Sequence, residues 1–218
     1  FSRGWNFLSN YTWAKALSNT QQGGANPPLN QRGACLDCDK GPTGFNIPHR
    51  LASAFVWDLP AGRGRKYLGS AGPWLNAAAG GWSLSVISIL SSGTPVMVTA
   101  PNNTPSSLTN FRADRLCDGR RELADGNPRS NGLYWLAPSC FAVPKAGSFG
   151  NSGVYILPGP GIANWDLALQ KQTRITESVQ SVFRLEMFNA FNHTQFSAVN
   201  GMAGDANFGQ VTQARTPR

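Results

Sequence analysis

The feature that most constrains this chain is a strict two-residue alternation carried by aromatic side chains. From Trp5 to Trp13 the odd positions are Trp5, Phe7, Ser9, Tyr11 and Trp13, and the even ones are Asn6, Leu8, Asn10 and Thr12. Successive side chains of a strand point to opposite faces, so the segment presents one aromatic face and one largely polar face. Leu51, Phe55, Trp57 and Leu59 repeat the pattern against Ala52, Ala54, Val56 and Asp58. A third strand is expected from 81 to about 100, with Trp82, Leu84, Val86 and Leu90 on one face. Ile87 and Ile89 interrupt its alternation, and Gly93-Thr94-Pro95 predicts a bend or bulge. Trp165, Leu167 and Leu169 alternate with Asp166, Ala168 and Gln170. The last strand is expected over 179–192, where Phe183, Leu185, Met187 and Phe191 alternate with Arg184, Glu186, Phe188 and Ala190. Its Leu, Met and Glu also suit a helix, but Phe188-Asn189-Ala190-Phe191-Asn192 tips the reading to strand.

The connections differ in length. Segments 17–45, 101–164 and 193–208 are long, polar and rich in Gly, Pro, Asn and Ser, whereas 172–178 is short and 60–80 intermediate. With strands running alternately up and down, the three long connections share one side. Outer-membrane barrels have this asymmetry, with short periplasmic turns and long extracellular loops. A compact soluble domain rarely carries so long a loop as 101–164 unless it contains small structured elements.

Apolar runs such as Val86-Ile87-Ser88-Ile89-Leu90 are strand-sized, far below the roughly 18 residues of a membrane helix, while a barrel strand crosses with about 9–11. Only 14% of the 218 residues are charged while 11% are aromatic, with seven Trp, a balance opposite to that of disordered chains. The expected fold class is therefore all-β, antiparallel strands forming part of a transmembrane outer-membrane β-barrel with long extracellular loops. Trp5, Trp13, Trp57, Trp82 and Trp165 fall near strand ends, where headgroup girdles form; the competing reading makes them core residues of a soluble sandwich.

On a barrel wall, an Arg turned to lipid near the midplane costs about 2–4 kcal/mol. Arg184 and Glu186 are thus expected to face the lumen together with Asp166 and Gln170. That network could hold a plug or line a solute path, or be a structural cross-strand ion pair. Cys35, Cys38, Cys117 and Cys140 all lie in long connections and are disulfide candidates, Cys117–Cys140 restraining the longest loop. Cys35-Leu36-Asp37-Cys38 has the spacing of a redox or metal half-site, but without a second CxxC a small loop disulfide is expected and no metal; zinc held by all four Cys is the competing reading. His49 and His193 are read as strand-end hydrogen-bonding residues. HExxH, GxSxG, phosphate-loop and dinucleotide-fold signatures are absent from the sequence, so neither a catalytic set nor a cofactor is expected. The net charge of +8 is spread between a turn with Arg63, Arg65 and Lys66 and a long loop with Arg112, Arg115, Arg120, Arg121 and Arg129. Such scatter is unlike a nucleic-acid footprint.

Several phrases carry a resemblance. They are Asn10-Tyr11-Thr12-Trp13-Ala14-Lys15-Ala16-Leu17, Phe45-Asn46-Ile47-Pro48-His49-Arg50-Leu51, Trp57-Asp58-Leu59-Pro60-Ala61-Gly62-Arg63-Gly64-Arg65 and Gly80-Gly81-Trp82. Cys140-Phe141-Ala142-Val143-Pro144, Phe149-Gly150-Asn151 and Gly159-Pro160-Gly161 follow. The most distinctive is Phe183-Arg184-Leu185-Glu186-Met187-Phe188-Asn189-Ala190-Phe191-Asn192-His193, trailed by Phe208-Gly209-Gln210-Val211-Thr212. In order and spacing these resemble the C-terminal barrel of TonB-dependent receptors, especially the Oar-like group with a carboxypeptidase-regulatory-like N-terminal domain. The resemblance implies a barrel of about 22 strands, plugged and driven through TonB to import an unidentified solute. Residues 1–218 would then be a C-terminal part of it, holding about five or six wall strands, with the plug, the TonB box and the final strand outside. Implied partners are outer-membrane lipid, the rest of the barrel and its plug, the TonB complex and the solute. Two other expectations compete. One is a secreted β-rich binding module whose aromatics stack on carbohydrate; the other is a hydrolase requiring Asp166, Glu186 and His193 around one pocket.

Overall fold

The computed structural model describes residues 4–19, 36–103, 110–120 and 134–215. Five long strands form one antiparallel sheet: β1 (Trp5–Trp13), β2 (His49–Asp58), β3 (Trp82–Ser91), β4 (Ile162–Arg174) and β5 (Gln180–Met187). They lie side by side in chain order, so every connection joins neighbours. The expected up-and-down wall is thus present. Among the described residues, no helix is long and apolar enough to cross a membrane.

Register keeps the sequence alternation coherent across all five strands. Phe7 stands opposite Phe55, Phe55 opposite Val86, Val86 opposite Leu167, and Leu167 opposite Met187. One residue along, Leu8, Ala54, Ile87 and Asp166 line up on the other face. Because the side-chain period is two, a one-residue slip anywhere would mix the faces. Ile87 and Ile89, which blur the pattern in sequence, simply belong to the second face. They sit opposite Ala54 and Ala52, so that face is not polar throughout.

Two strands end earlier than expected. β3 stops at Ser91, and 95–96 and 99–101 pair elsewhere, with 157–158 and 110–112 respectively. Gly93-Thr94-Pro95 ends the ladder instead of bulging it. β5 stops at Met187, and the chain turns through Asn189 and Asn192, both at left-handed φ (47° and 48°). Asn tolerates that conformation better than most side chains.

The described parts of the long connections are structured. Short ribbons pair 17–18 with 41–42, 95–96 with 157–158, 99–101 with 110–112, 114–115 with 141–142, and 196–199 with 211–214. They enclose the buried core: Val98, Ala100, Ala113, Leu136, Phe141, Leu157, Ala203 and Phe208. Phe141 and Phe208 meet edge to face at 5.7 Å. Cys117 and Cys140 are joined by a disulfide at the margin of this cluster. Arg112 and Asp39, 5% and 0% exposed, form an ion pair of 2.5 Å within this region. We call this assembly the cap. On the opposite side, 59–81 forms a Gly-rich turn and a short helix, α1 (Pro73–Ala79), and 175–179 is a tight turn. Gly81, at φ +71°, starts β3 where a Cβ would strike the carbonyl of Gln172, so only glycine fits.

Candidate functional site: the two faces of the wall

The apolar face carries Trp5, Phe7, Tyr11 and Trp13 on β1, with Leu51, Phe55 and Trp57 beside them on β2. No described residue covers it: Phe7 is 56%, Tyr11 61% and Trp13 69% exposed. The aromatic side chains are therefore not the core of a sandwich. Trp5, Trp57 and Trp82 mark the short-turn end, Trp13 the cap end; Trp165 lies further along β4, edge to face with Phe191 at 6.0 Å. Eight strand rises from Trp5 to Trp13 cover about 27 Å, or about 21 Å at a tilt near 40°, close to the height of a barrel's apolar band. At mid-height Ser9 and Ser53 hydrogen-bond each other at 2.9 Å, which gives each hydroxyl a partner within the apolar surroundings. The small serines leave a shallow depression of about 210 Å³ flanked by Phe7, Phe55, Leu90 and Trp165.

The other face holds all four predicted polar residues. Gln170 is the register partner of Arg184, and Glu186 lies two residues from Arg184 on the same strand. Arg184 pairs with Glu186 at 2.6 Å, with side chains 57% and 41% exposed. Such a half-exposed pair is worth no more than about 1 kcal/mol. Its larger effect is to keep this face polar. Asp166 does not join it. Its carboxylate accepts from the side-chain amide of Asn164 and the backbone N–H of Asn189, each at 2.9 Å, and so anchors the turn that follows β5.

The sequence reading missed the partners of that turn. Beyond Met187, the edge of β4 away from β3 has no strand beside it among the described residues, and the Gln195 side chain takes the place of one. Its oxygen accepts from Ala163 N–H at 2.9 Å, and its amide donates to the Ala163 carbonyl at 2.6 Å. Ala190 N–H donates to the Trp165 carbonyl at 2.8 Å. Asn164, Gln172 and Arg174 also belong to the polar face, and their parity with Asp166 and Gln170 was the available signal. For Gln195 there was none, since it lies outside any periodic segment.

Asp166 and His193 meet at one turn, since Asn189 donates its backbone N–H to Asp166 and binds the His193 backbone with its side chain, whereas Glu186 pairs with Arg184. The His193 ring contacts the side chain of Gln195 at 3.1 Å. His49 accepts or donates at Nδ1 to the Tyr11 hydroxyl at 2.8 Å, at the cap end of the wall. Of the other cysteines, Cys38 is disulfide-bonded and Cys35 lies outside the described residues, as do Arg121 and Arg129. With Cys117 bonded to Cys140, a zinc site using all four cysteines does not form.

Comparison with curated proteins and with solved structures returns no match. A family model described as an outer membrane beta barrel domain matches residues 1–218. Its fold is the one the register builds: an antiparallel wall, apolar on one face and largely polar on the other. The chain belongs to the outer membrane β-barrel domain family, and its place is the outer membrane.

Proposed function

We propose that this chain is wall and cell-surface cap of a TonB-dependent receptor of the Oar-like group, taking part in energised uptake of a solute. The observation that carries the reading is the combination of a charged face on β4 and β5 with long connections at one end of the wall, whose described parts fold into paired ribbons. In a barrel the apolar face meets lipid, which leaves Arg184, Glu186, Gln170 and Asp166 to the lumen, where a plug or a solute passes. The folded connections are then extracellular and the 59–81 and 175–179 connections periplasmic. Five strands are fewer than any bacterial barrel needs for closure, so the rest of the wall and a plug are the proposed partners of β1 and β5. The quoted phrases spread along the chain support this choice among barrels.

No catalytic role, cofactor or nucleic-acid partner is proposed. The carbohydrate reading would need the aromatic face, which a barrel commits to lipid. The test uses the full-length protein in outer-membrane vesicles and the purified C-terminal domain of TonB. Specific binding that rises when substrate-rich medium is supplied is expected. Absence of TonB binding under every supply condition would overturn the receptor reading and leave a barrel of another kind.

A further inference from the structure

The 59–81 connection is neither a bare turn nor a random loop. Tyr67 N–H donates to the Pro60 carbonyl and Gly62 N–H to the Tyr67 carbonyl, both at 2.9 Å. The backbone N–H of Arg63 donates to the side-chain oxygen of Asn76 at 2.6 Å, tying the basic turn to α1. The C-terminal end of α1 is fixed to the wall from the apolar face. Trp82 Nε1 donates to the Ala78 carbonyl at 2.9 Å, and Lys171 Nζ donates to the Ala78 and Gly80 carbonyls while lying 5.2 Å over the Trp82 ring. Trp82 and Lys171 are register partners on that face. The connection is thus held at the short-turn rim on the side that a barrel gives to lipid.

What it presents outward has two chemistries. Trp74 is 90% exposed, Leu75 50%, and Tyr67 57%. Arg63, Arg65 and Lys66 are exposed beside them, no carboxylate occurs in 59–81, and no ion pair among the described residues uses these three cations. Large apolar side chains standing in water cost free energy, as do cations packed together without counter-charge. A headgroup layer relieves both costs. An indole and a Leu can enter the acyl boundary, while guanidinium and ammonium groups meet phosphates.

We propose that residues 60–80 form a foot that grips anionic phospholipid headgroups of the periplasmic leaflet. The inference rests on the outer-membrane wall and goes beyond the receptor reading, so it stands or falls separately from TonB binding. Attraction of a basic residue to an anionic surface corresponds to about fivefold in affinity for each charge.

The experiment reconstitutes the full-length protein in nanodiscs of phosphatidylethanolamine, with and without phosphatidylglycerol. Lipid retained through detergent washing is measured by mass spectrometry. An environment-sensitive fluorophore on Trp74→Cys reports the depth of α1. The expected result is selective retention of phosphatidylglycerol that falls by about fivefold or more in the combined Arg63→Ser, Arg65→Ser and Lys66→Ser variant. The probe should turn apolar in discs and move deeper when phosphatidylglycerol is present. Equal retention by parent and variant, or a probe that stays solvent-like in discs, overturns the proposal. Displacement of the lipid by excess inorganic phosphate would also overturn it, in favour of a free-anion site. Probe burial that requires a periplasmic protein and no lipid would do the same. Should the triple variant fail to fold, as judged by heat-dependent electrophoretic mobility, Trp74→Ser keeps every charge and must still weaken retention.

Discussion

Phe7 and Phe111 are the same side chain in opposite circumstances. Phe7, on β1, is 56% exposed, while Phe111, in the cap, is 2% exposed. The contrast extends to the two regions they occupy. Among the described residues, every hydrophobic residue of the buried core lies in the cap, and the large side chains of β1 and β5 are exposed along their whole length. The cap folds as soluble proteins do, by withdrawing apolar surface from water at about 25 cal/mol per Å². The wall cannot gain stability that way from within. Its apolar face is finished by lipid, and its internal stability comes from backbone ladders that have no competing water in the membrane. One chain therefore meets two solvents, and the same pattern of residues means different things in each.

The buried ion pair gives the sharpest way to separate the regions. Asp39→Ala leaves Arg112 charged and buried, which costs about 3–5 kcal/mol. The expected outcome in cells is rapid cleavage of the cap by external protease, with wall folding, read as heat-modifiable mobility, unchanged. Loss of both together would erase the distinction drawn here. Cys117→Ser with Cys140→Ser acts on the same region and should cost about 3 kcal/mol in the chain-entropy account. Its signature is a lower temperature of cap proteolysis, reproduced in the parent by reductant.

For the wall, the comparison turns on adjacent residues of β4. Leu167→Arg should cost about 2–4 kcal/mol by placing a charge in lipid, whereas Ala168→Arg, on the opposite face, should cost little. Equal effects in a urea titration in bilayers would mean that the faces are misassigned.

The smallest effect concerns Asp205 in the cap. The side-chain amide of Asn200, at 2.9 Å, and then the backbone N–H of Asn207 hold its carboxyl below the usual Asp value of 3.8. A carboxylate with a depressed folded pKa stabilises the fold above its unfolded pKa, and that contribution is lost as pH falls through the folded value. Acidification below 3.8 should therefore loosen the 200–207 turn slightly. Hydrogen exchange there, compared with Asp205→Asn at each pH, should show a difference at neutral pH that vanishes in acid.

The wall was legible because a strand writes its environment into every second residue, and Trp5–Trp13 and 165–170 do so with few departures, such as Leu8 and Ser9. The four polar candidates were found on one face for the same reason, although Asp166 serves a turn and not the Arg184–Glu186 pair. Beyond the Cys117–Cys140 bridge, the cap was not legible. Its strands are mostly two or three residues long, too short for a period to show, and its partners are far apart in sequence, as with Asp39 and Arg112. The end of β5 was misjudged because Phe191 continues the apolar rhythm of Phe183, Leu185 and Met187 after Asn189 has already turned the chain.

The Gln195 amide that imitates a neighbouring strand at Ala163 acts, in assembly terms, as a pawl. Sliding β5 along β4 by one two-residue step would keep every side chain on its proper face, so the solvents on either side could not detect the error. Such a slip would, however, tear Gln195 from Ala163 and Asn189 from Asp166 at once. The turn after β5 thereby fixes the stagger between two strands. In a closed cylinder, that stagger helps set how far every later strand is tilted.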